Sequence, residues 1–81
     1  MNATITPVTS RQLFNTAFPP TRDPRSEEYQ LGVLAYLSWR LGEQETIPQP
    51  YVAGTAQADA YIAGTREGND IYRQYKANLP H

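Results

Sequence analysis

Apolar side chains recur at helical spacing in two long segments of the chain. The first segment carries two adjacent apolar stripes, formed by Tyr29, Val33, Tyr36 and Leu37 and by Leu34, Leu37 and Leu41. This pattern predicts a helix over about 24–41, with Asp23 as its N-cap, Pro24 at the first helical position and Gly42 at its end. A helix that is apolar on more than one side needs more than one neighbour.

The second long segment begins after Thr55, a good N-cap residue, and stops before Pro80. Its apolar positions at helical spacing are Ala58, Tyr61, Ile62, Thr65, Tyr72 and Tyr75, with Ile71 adjacent. The pattern predicts a helix over about 56–77.

Small residues recur every four positions on one face of this second helix, at Ala60, Gly64 and Gly68. A glycine costs about 1 kcal/mol relative to alanine inside a helix, so this face is expected to be a shallow groove that admits another backbone or a bulky side chain. The first helix offers Gly32 together with aromatic side chains, Tyr36 or Trp39, for that groove.

We therefore predict an antiparallel helical hairpin closed by glycine-mediated packing. Its packing residues are expected to be Gly32, Tyr36, Tyr51, Ala60, Tyr61, Gly64 and Gly68. A ligand pocket against the glycines is the alternative, and the sequence shows no internal repeat.

The N-terminal part of the chain predicts a short helix on an extended arm. Residues 1–8 are expected to be extended, and Thr9 with Gln12 forms a capping box that starts a helix over about 10–17. Consecutive prolines end that helix. We divide the chain into an arm at 1–25 and a helical hairpin domain at 26–81, and the predicted fold class is all-α.

Composition limits the function classes. The chain has 81 residues, no cysteine and a net charge of −1, so it forms one small domain without disulfides. The arm is basic and the remainder is acidic, and this balance argues against nucleic acid as the main partner while leaving a local basic patch open. The N-terminus does not resemble a signal peptide and no apolar run reaches membrane-spanning length, which predicts a soluble, cytoplasmic protein that does not bind membranes.

Candidate catalytic chemistry is sparse. His81 is the only histidine and the last residue, so no rigid nucleophile–histidine pair or histidine metal site is expected. The carboxylate pair Glu27 and Glu28 suits a helix N-terminus, and Glu67 with Asp70 is expected on a solvated face. We predict that the protein is not an enzyme and uses no metal or cofactor.

Aromatic and basic residues, which dominate binding energetics, cluster near both helix ends. Tyr72, Arg73, Tyr75 and Lys76 lie near the end of the second helix, while Trp39 and Arg40 lie near the end of the first. In an antiparallel hairpin these two groups would lie at opposite poles. The remaining candidate partner-binding residues are Arg22, Arg25, Glu27 and Glu28. The alternative is that the tyrosines serve the small core and keep only their hydroxyl groups in water.

The segments "EYQLGVLA", "PY" and "GTAQADAYIAGTREG" resemble the ribosome modulation factor family of very small bacterial proteins and its plasmid and phage relatives. The matching positions, within about residues 28–72, are Tyr29, Gly32, Pro50, Tyr51, Tyr61 and Gly64. Gln49 stands where the family has cysteine and Thr65 where an aromatic residue is usual. The resemblance implies a helical fold and contact with small-subunit ribosomal RNA, although this chain is acidic and the family is strongly basic.

Two functional hypotheses follow. The first is a non-enzymatic regulator or inhibitor that binds a bacterial protein or ribonucleoprotein complex, as a phage or mobile-element product directed at a host defence or regulatory complex would. Its acidic residues Glu27, Glu28, Glu43 and Glu45 would meet a basic partner. The second is a ribosome-associated modulation factor that contacts RNA through Arg11, Arg22, Arg25, Arg73 and Lys76. A homodimer is a further alternative for the apolar surface of the first long helix.

Overall fold

The computed structural model describes residues 7–79 and contains three helices, α1 (Ser10–Ala17), α2 (Glu27–Arg40) and α3 (Ala56–Ala77). Within this range the chain has no strand, and α2 packs closely along α3 with α1 beside them. The predicted all-α class, the close pair of long helices and the short N-terminal helix are confirmed. Most of the predicted extended segment at 1–8, and His81, lie outside the described residues.

The N-terminal helix begins as the sequence predicts. The Gln12 N–H donates to Thr9 Oγ1 at 3.1 Å, and the Thr9 N–H donates back to Gln12 Oε1 at 2.9 Å, which completes the capping box. Phe14 of α1 is buried in one cluster with Tyr29, Val33 and Leu37 of α2. The predicted division after residue 25 therefore passes through a single hydrophobic core.

The start of α2 differs from the prediction by three residues. Ser26, not Asp23, is the N-cap, and its hydroxyl accepts the Tyr29 N–H at 3.2 Å. Arg25 lies before the helix, where its guanidinium is 3.8 Å from the Tyr29 ring centre and its carbonyl accepts a 2.7 Å hydrogen bond from the Gln30 side chain. A second good capping residue nearer the apolar stripe thus replaces the Asp-Pro start.

The predicted end of α2 at Gly42 is present as a Schellman motif. Gly42 has φ +78°, its N–H donates to the Trp39 carbonyl at 3.1 Å, and the Glu43 N–H donates to the Ser38 carbonyl at 2.8 Å. The left-handed conformation at this position favours glycine. It turns the chain sharply away from the helix axis.

Two buried glycines lock α2 against α3 in a reciprocal way. A Cβ atom on Gly64 would lie 2.0 Å from the Tyr29 carbonyl oxygen, and one on Gly32 would lie 2.1 Å from the Tyr61 carbonyl oxygen. Each glycine thus faces the carbonyl three residues before the other glycine. The chain contains a local repeat, Tyr-x-x-Gly at 29–32 and at 61–64, which the expectation of no internal repeat missed.

The contacts between α2 and α3 advance in the same direction along both helices, unlike the antiparallel arrangement predicted from the sequence. Gly32 meets Tyr61 near the start of the contact, and the Arg40 guanidinium lies over the Tyr72 ring at its end. Residues 41–55 are long enough to return along α2, so that α3 can start beside the start of α2. An extended chain of that length reaches about 50 Å, whereas α2, with 14 residues, is only about 21 Å long.

The connection between the long helices returns along α2 to reach Thr55, the predicted N-cap of α3, whose hydroxyl accepts the Ala58 N–H at 3.1 Å. Tyr61 is buried, its hydroxyl donates to the Pro48 carbonyl at 2.6 Å, and Tyr51 packs edge-on against its ring at 5.6 Å. Tyr51 and Tyr61 therefore hold the returning loop on the helix pair, in agreement with their predicted packing role.

Aromatic packing against the small residues of α3 is more selective than predicted. Gly68 lies against Tyr36, whose Cβ would be 2.8 Å from an added Cβ. Ala60 is only half-buried, and Trp39 remains 37% exposed instead of filling the groove. The close contact is made by the two Tyr-x-x-Gly segments, which bring main chain to main chain.

None of the three described helices combines the length and apolar composition that a membrane crossing requires.

Candidate functional site

The ends of α2 and α3 together form a surface that we call the basic aromatic patch. Its members are Trp39, Arg40, Tyr72, Arg73 and Lys76. The Arg40 guanidinium lies 4.4 Å from the Tyr72 ring centre and 5.7 Å from the Trp39 ring centre, which joins the two helices. Beside it is an open depression of about 460 Å³ lined by Arg40, Tyr72, Arg73, Lys76 and Ala77.

The patch corrects an inference made from the sequence. The groups at the ends of the two helices were expected at opposite poles because an antiparallel hairpin was assumed. Since α2 and α3 run in the same direction, Arg40 at the end of α2 meets Tyr72 near the end of α3. Five candidate residues that the sequence analysis placed in two groups thus lie in one surface.

The aromatic part of the patch is held in position by contacts beneath it. Trp39 packs edge-on against Tyr36, with ring centres 5.6 Å apart and planes at 70°. The Tyr36 hydroxyl in turn donates to Asn69 Oδ1 of α3 at 2.8 Å. The indole is therefore exposed on a fixed base.

The three cations of the patch are available to an incoming anion. Within residues 7–79 the only ion pair joins Arg22 to Glu67, so no carboxylate of this range lies within 4.0 Å of the Arg40, Arg73 or Lys76 charge. An external carboxylate or phosphate could form charge-assisted hydrogen bonds with them without displacing an internal partner.

The predicted candidate Arg22 is committed to a contact inside the protein. Its Nη1 and Nη2 donate to the two carboxylate oxygens of Glu67 at 2.7 and 2.8 Å, and Nη1 also donates to the Ala17 carbonyl at 2.9 Å. The guanidinium lies 4.0 Å from the Phe18 ring centre. Arg22 thus ties the segment after α1 to α3 and is not part of the patch.

Glu67 is the residue that sequence reasoning misjudged most. Instead of lying on a solvated face with Asp70, it is half-buried, holds Arg22 and accepts a hydrogen bond from the Tyr29 hydroxyl. The hydrogen bond from Arg22 outweighs burial and lowers the pKa of Glu67, whereas burial and the bond to the carboxylate raise the pKa of Tyr29. No local sequence signal connects Glu67 with an arginine far away in the chain.

Glu43, a predicted partner-binding carboxylate, holds the start of α1. The Ser10 N–H and hydroxyl donate to its two oxygens at 2.8 and 2.7 Å, and the Ser38 hydroxyl donates to Ser10 Oγ at 3.1 Å. The hydrogen bonds from Ser10 lower the pKa of Glu43. Its carboxylate is therefore used within the fold, at the positive end of a helix.

The remaining candidates lie away from the basic aromatic patch. Glu27 and Glu28 occupy the first turn of α2, at the opposite end of the helix pair, and Arg25 stacks on Tyr29 beside them. Tyr75 has its ring centre 6.2 Å from that of Tyr72 but lines an apolar groove of about 530 Å³ between α1 and α3.

The described residues offer little reactive chemistry. Between residues 7 and 79 no three His, Cys, Asp or Glu side chains converge as metal ligands would. The patch combines exposed cations with exposed aromatic surface, and this arrangement can bind an anion but provides no nucleophile with an adjacent base.

No protein-family model, curated protein or solved structure matches the chain. The likeness to the ribosome modulation factor family therefore rests on the quoted positions alone. Among them, Tyr29, Gly32, Tyr61 and Gly64 form the reciprocal contact between α2 and α3.

Proposed function

We propose that the protein is a small, non-enzymatic regulator or inhibitor that docks on a bacterial macromolecular complex through the basic aromatic patch. The observation that carries this proposal is the stacking of Arg40 on Tyr72, which gathers cations and aromatic rings from two helices into one surface. Trp, Tyr and Arg are the side chains enriched at binding hot spots. The origin we favour is a phage or mobile element, with a host defence or regulatory complex as the target.

The basic aromatic patch fits a binding role better than a catalytic one. The depression beside Arg40 is open, and its charged groups are cations without an associated base. A polar cluster elsewhere, formed by Arg22, Tyr29 and Glu67, uses hydrogen-bond donors and acceptors internally. The proposal therefore assigns the protein a binding role in the cytoplasm, without a cofactor.

A ribosome-associated modulation factor is the second candidate. The observation that favours it is the exposed Trp39 beside Arg40, since indole and guanidinium planes are surfaces on which unpaired RNA bases stack. The arginines of the arm that were expected to assist include Arg22, whose charge is already paired with Glu67. The RNA hypothesis thus depends on the patch as well.

Affinity purification from bacterial lysate tests the proposal. Tagged wild-type protein is compared with the double variant Arg40→Glu/Arg73→Glu, with and without ribonuclease, and captured proteins are identified by mass spectrometry. Arg66→Glu is the matched control because Arg66 is an exposed arginine of α3 outside the patch.

We expect the double variant, but not the control, to lose a specific complex. Ribonuclease-resistant capture indicates a protein complex as the target, whereas small-subunit ribosomal proteins that disappear with ribonuclease indicate the second candidate. Capture that is unchanged in the double variant would refute docking through the patch.

A further inference from the structure

We infer that the docking partner of the basic aromatic patch is an acidic, amphipathic protein segment that contributes carboxylates to the cations and an apolar side chain to Trp39. This inference rests on the proposed function and specifies the chemistry of the partner. Three features of the described residues carry it: the limited extent of the positive surface, the position of Arg40 over the Tyr72 ring and the apolar area next to it.

The positive surface is short because charge is segregated along the helix pair. Both helices begin with carboxylates, Glu27 and Glu28 in α2 and Asp59 in α3, and both end with cations, Arg40 and Lys76. As the helices run in the same direction, the carboxylates of the first turns and the cations of the last turns collect at opposite ends, and the exceptions are Arg25 beside the acidic end and Asp70, which shares a small depression with Arg73. A long polyanion would extend from the cations toward the acidic end, whereas a short segment with a few carboxylates would not.

The arginine at the centre of the patch suits a carboxylate. The Arg40 guanidinium lies over the Tyr72 ring at 4.4 Å and forms no ion pair within residues 7–79, so its charge is available to a planar, bidentate carboxylate. Arg73 and Lys76 are three residues apart on α3, so they lie on neighbouring turns of one face. Carboxylates one helical turn apart on a partner helix match this spacing.

Apolar surface next to the cations favours an amphipathic segment over a merely acidic one. Trp39 is 37% exposed and rests on Tyr36, and Tyr72 is only half-buried. Burial of this apolar area on binding contributes binding free energy that exposed ion pairs do not supply, because such pairs contribute at most about 1 kcal/mol each. A partner helix with carboxylates on one stripe and aliphatic residues beside them satisfies both parts of the patch.

A direct binding assay tests the inference without knowledge of the natural partner. The probe is a fluorescein-labelled amphipathic helical peptide, free of tryptophan, with glutamates at i and i+4 and adjacent leucines. Its matched controls are the same peptide with glutamine in place of glutamate and a single-stranded oligouridylate of equal charge. Binding is measured by fluorescence anisotropy at about 0.15 M salt, and repeated with unlabelled probe through the emission of Trp39, the only tryptophan in the chain.

We expect the acidic peptide to bind at least about tenfold more tightly than its glutamine twin and to shift the Trp39 emission. Arg40→Glu and Arg73→Glu should each weaken binding by about tenfold, while Arg66→Glu leaves it within about twofold. Circular dichroism melting shows whether each variant keeps its fold; where Arg40→Glu does not, Arg73→Glu and Lys76→Glu give the same comparison.

Three results would overturn the inference. The acidic peptide and its glutamine twin could bind equally, the oligouridylate could bind more tightly than the peptide with the same dependence on Arg73, or neither probe could bind. In the second case docking through the patch survives with RNA as the ligand. The proposed function itself fails only when lysate capture is also insensitive to the patch variants.

Discussion

Replacing Gly64 with alanine tests the reciprocal lock between α2 and α3. The new Cβ would lie 2.0 Å from the Tyr29 carbonyl oxygen, which is 1.4 Å shorter than the 3.4 Å at which ordinary contacts begin. The obstructing atoms belong to the main chain, because the Tyr29 carbonyl carbon at 2.9 Å and the Val33 nitrogen at 3.1 Å follow. A side chain cannot rotate away to relieve this contact, so the two helices must separate.

Two opposing effects set the size of the change. Overpacking costs about 1–3 kcal/mol, and a contact with main chain belongs at the upper end of that range. Alanine regains about 1 kcal/mol of helix propensity relative to glycine. We therefore expect Gly64→Ala to lower the free energy of unfolding by about 2 kcal/mol, which for a chain of this size lowers Tm by roughly 8–16 °C.

Thermal and urea denaturation followed by circular dichroism provide the measurement, and the other interface glycines provide graded comparisons. Gly32→Ala should cost as much, since its Cβ would meet the Tyr61 carbonyl oxygen at 2.1 Å. Gly68→Ala should cost less, because its nearest contacts, the Tyr36 Cβ at 2.8 Å and the Val33 carbonyl oxygen at 3.1 Å, are longer than the 2.0 Å contact at Gly64 and a smaller displacement relieves them. An unchanged or higher Tm for Gly64→Ala would refute the lock, since the gain in helix propensity would then be the only effect.

Other interactions give separate expectations. Glu67→Gln weakens the contact with Arg22 and should lower the free energy of unfolding by about 1 kcal/mol, as a double-mutant cycle with Arg22→Gln in urea can measure; additive effects would contradict direct coupling. The pKa values of Glu43 and Glu67 are lowered by folding, so their contribution is present above the unfolded value of about 4.3 and is lost as pH falls through the folded values. Tm measured from pH 7 to pH 3 should therefore decline less in Glu43→Gln/Glu67→Gln than in the wild type. Tyr61→Phe leaves the Pro48 carbonyl without its hydroxyl donor and should cost about 1 kcal/mol in urea unfolding, with faster amide exchange in residues 41–55; unchanged exchange would show that other contacts hold the loop.

Local signals allowed the sequence to predict much of this fold. Thr9 with Gln12 and Thr55 placed the starts of α1 and α3 correctly, because a capping interaction involves residues only three apart. The predicted start of α2 was wrong because Asp23 and Ser26 are both good capping residues, and residue types alone do not decide between them. Side-chain competition of this kind is invisible to a pattern of residue types.

Interactions between distant residues could not be predicted from the same patterns. The direction of α3 depends on the course of residues 41–55, whose contacts with the helix pair, such as the hydrogen bond from the Tyr61 hydroxyl to the Pro48 carbonyl, join residues far from each other in any local pattern. The predicted antiparallel arrangement of the long helices placed Arg40 and Tyr72 at opposite poles, although every member of the patch had been predicted as a candidate. The small residues were the useful exception, because two glycines inside helices indicate a close backbone contact whatever the direction.

The reciprocal glycine lock has a consequence for how freely this protein can evolve. The two helices recognise each other through main chain at the Tyr-x-x-Gly segments, so the close contact depends on few side chains. Outward positions such as Leu31 and Ile62, each 42% exposed, are then free to vary without loosening the pair. Selection can therefore change the side chains of such a surface while the main-chain contact between α2 and α3 stays intact.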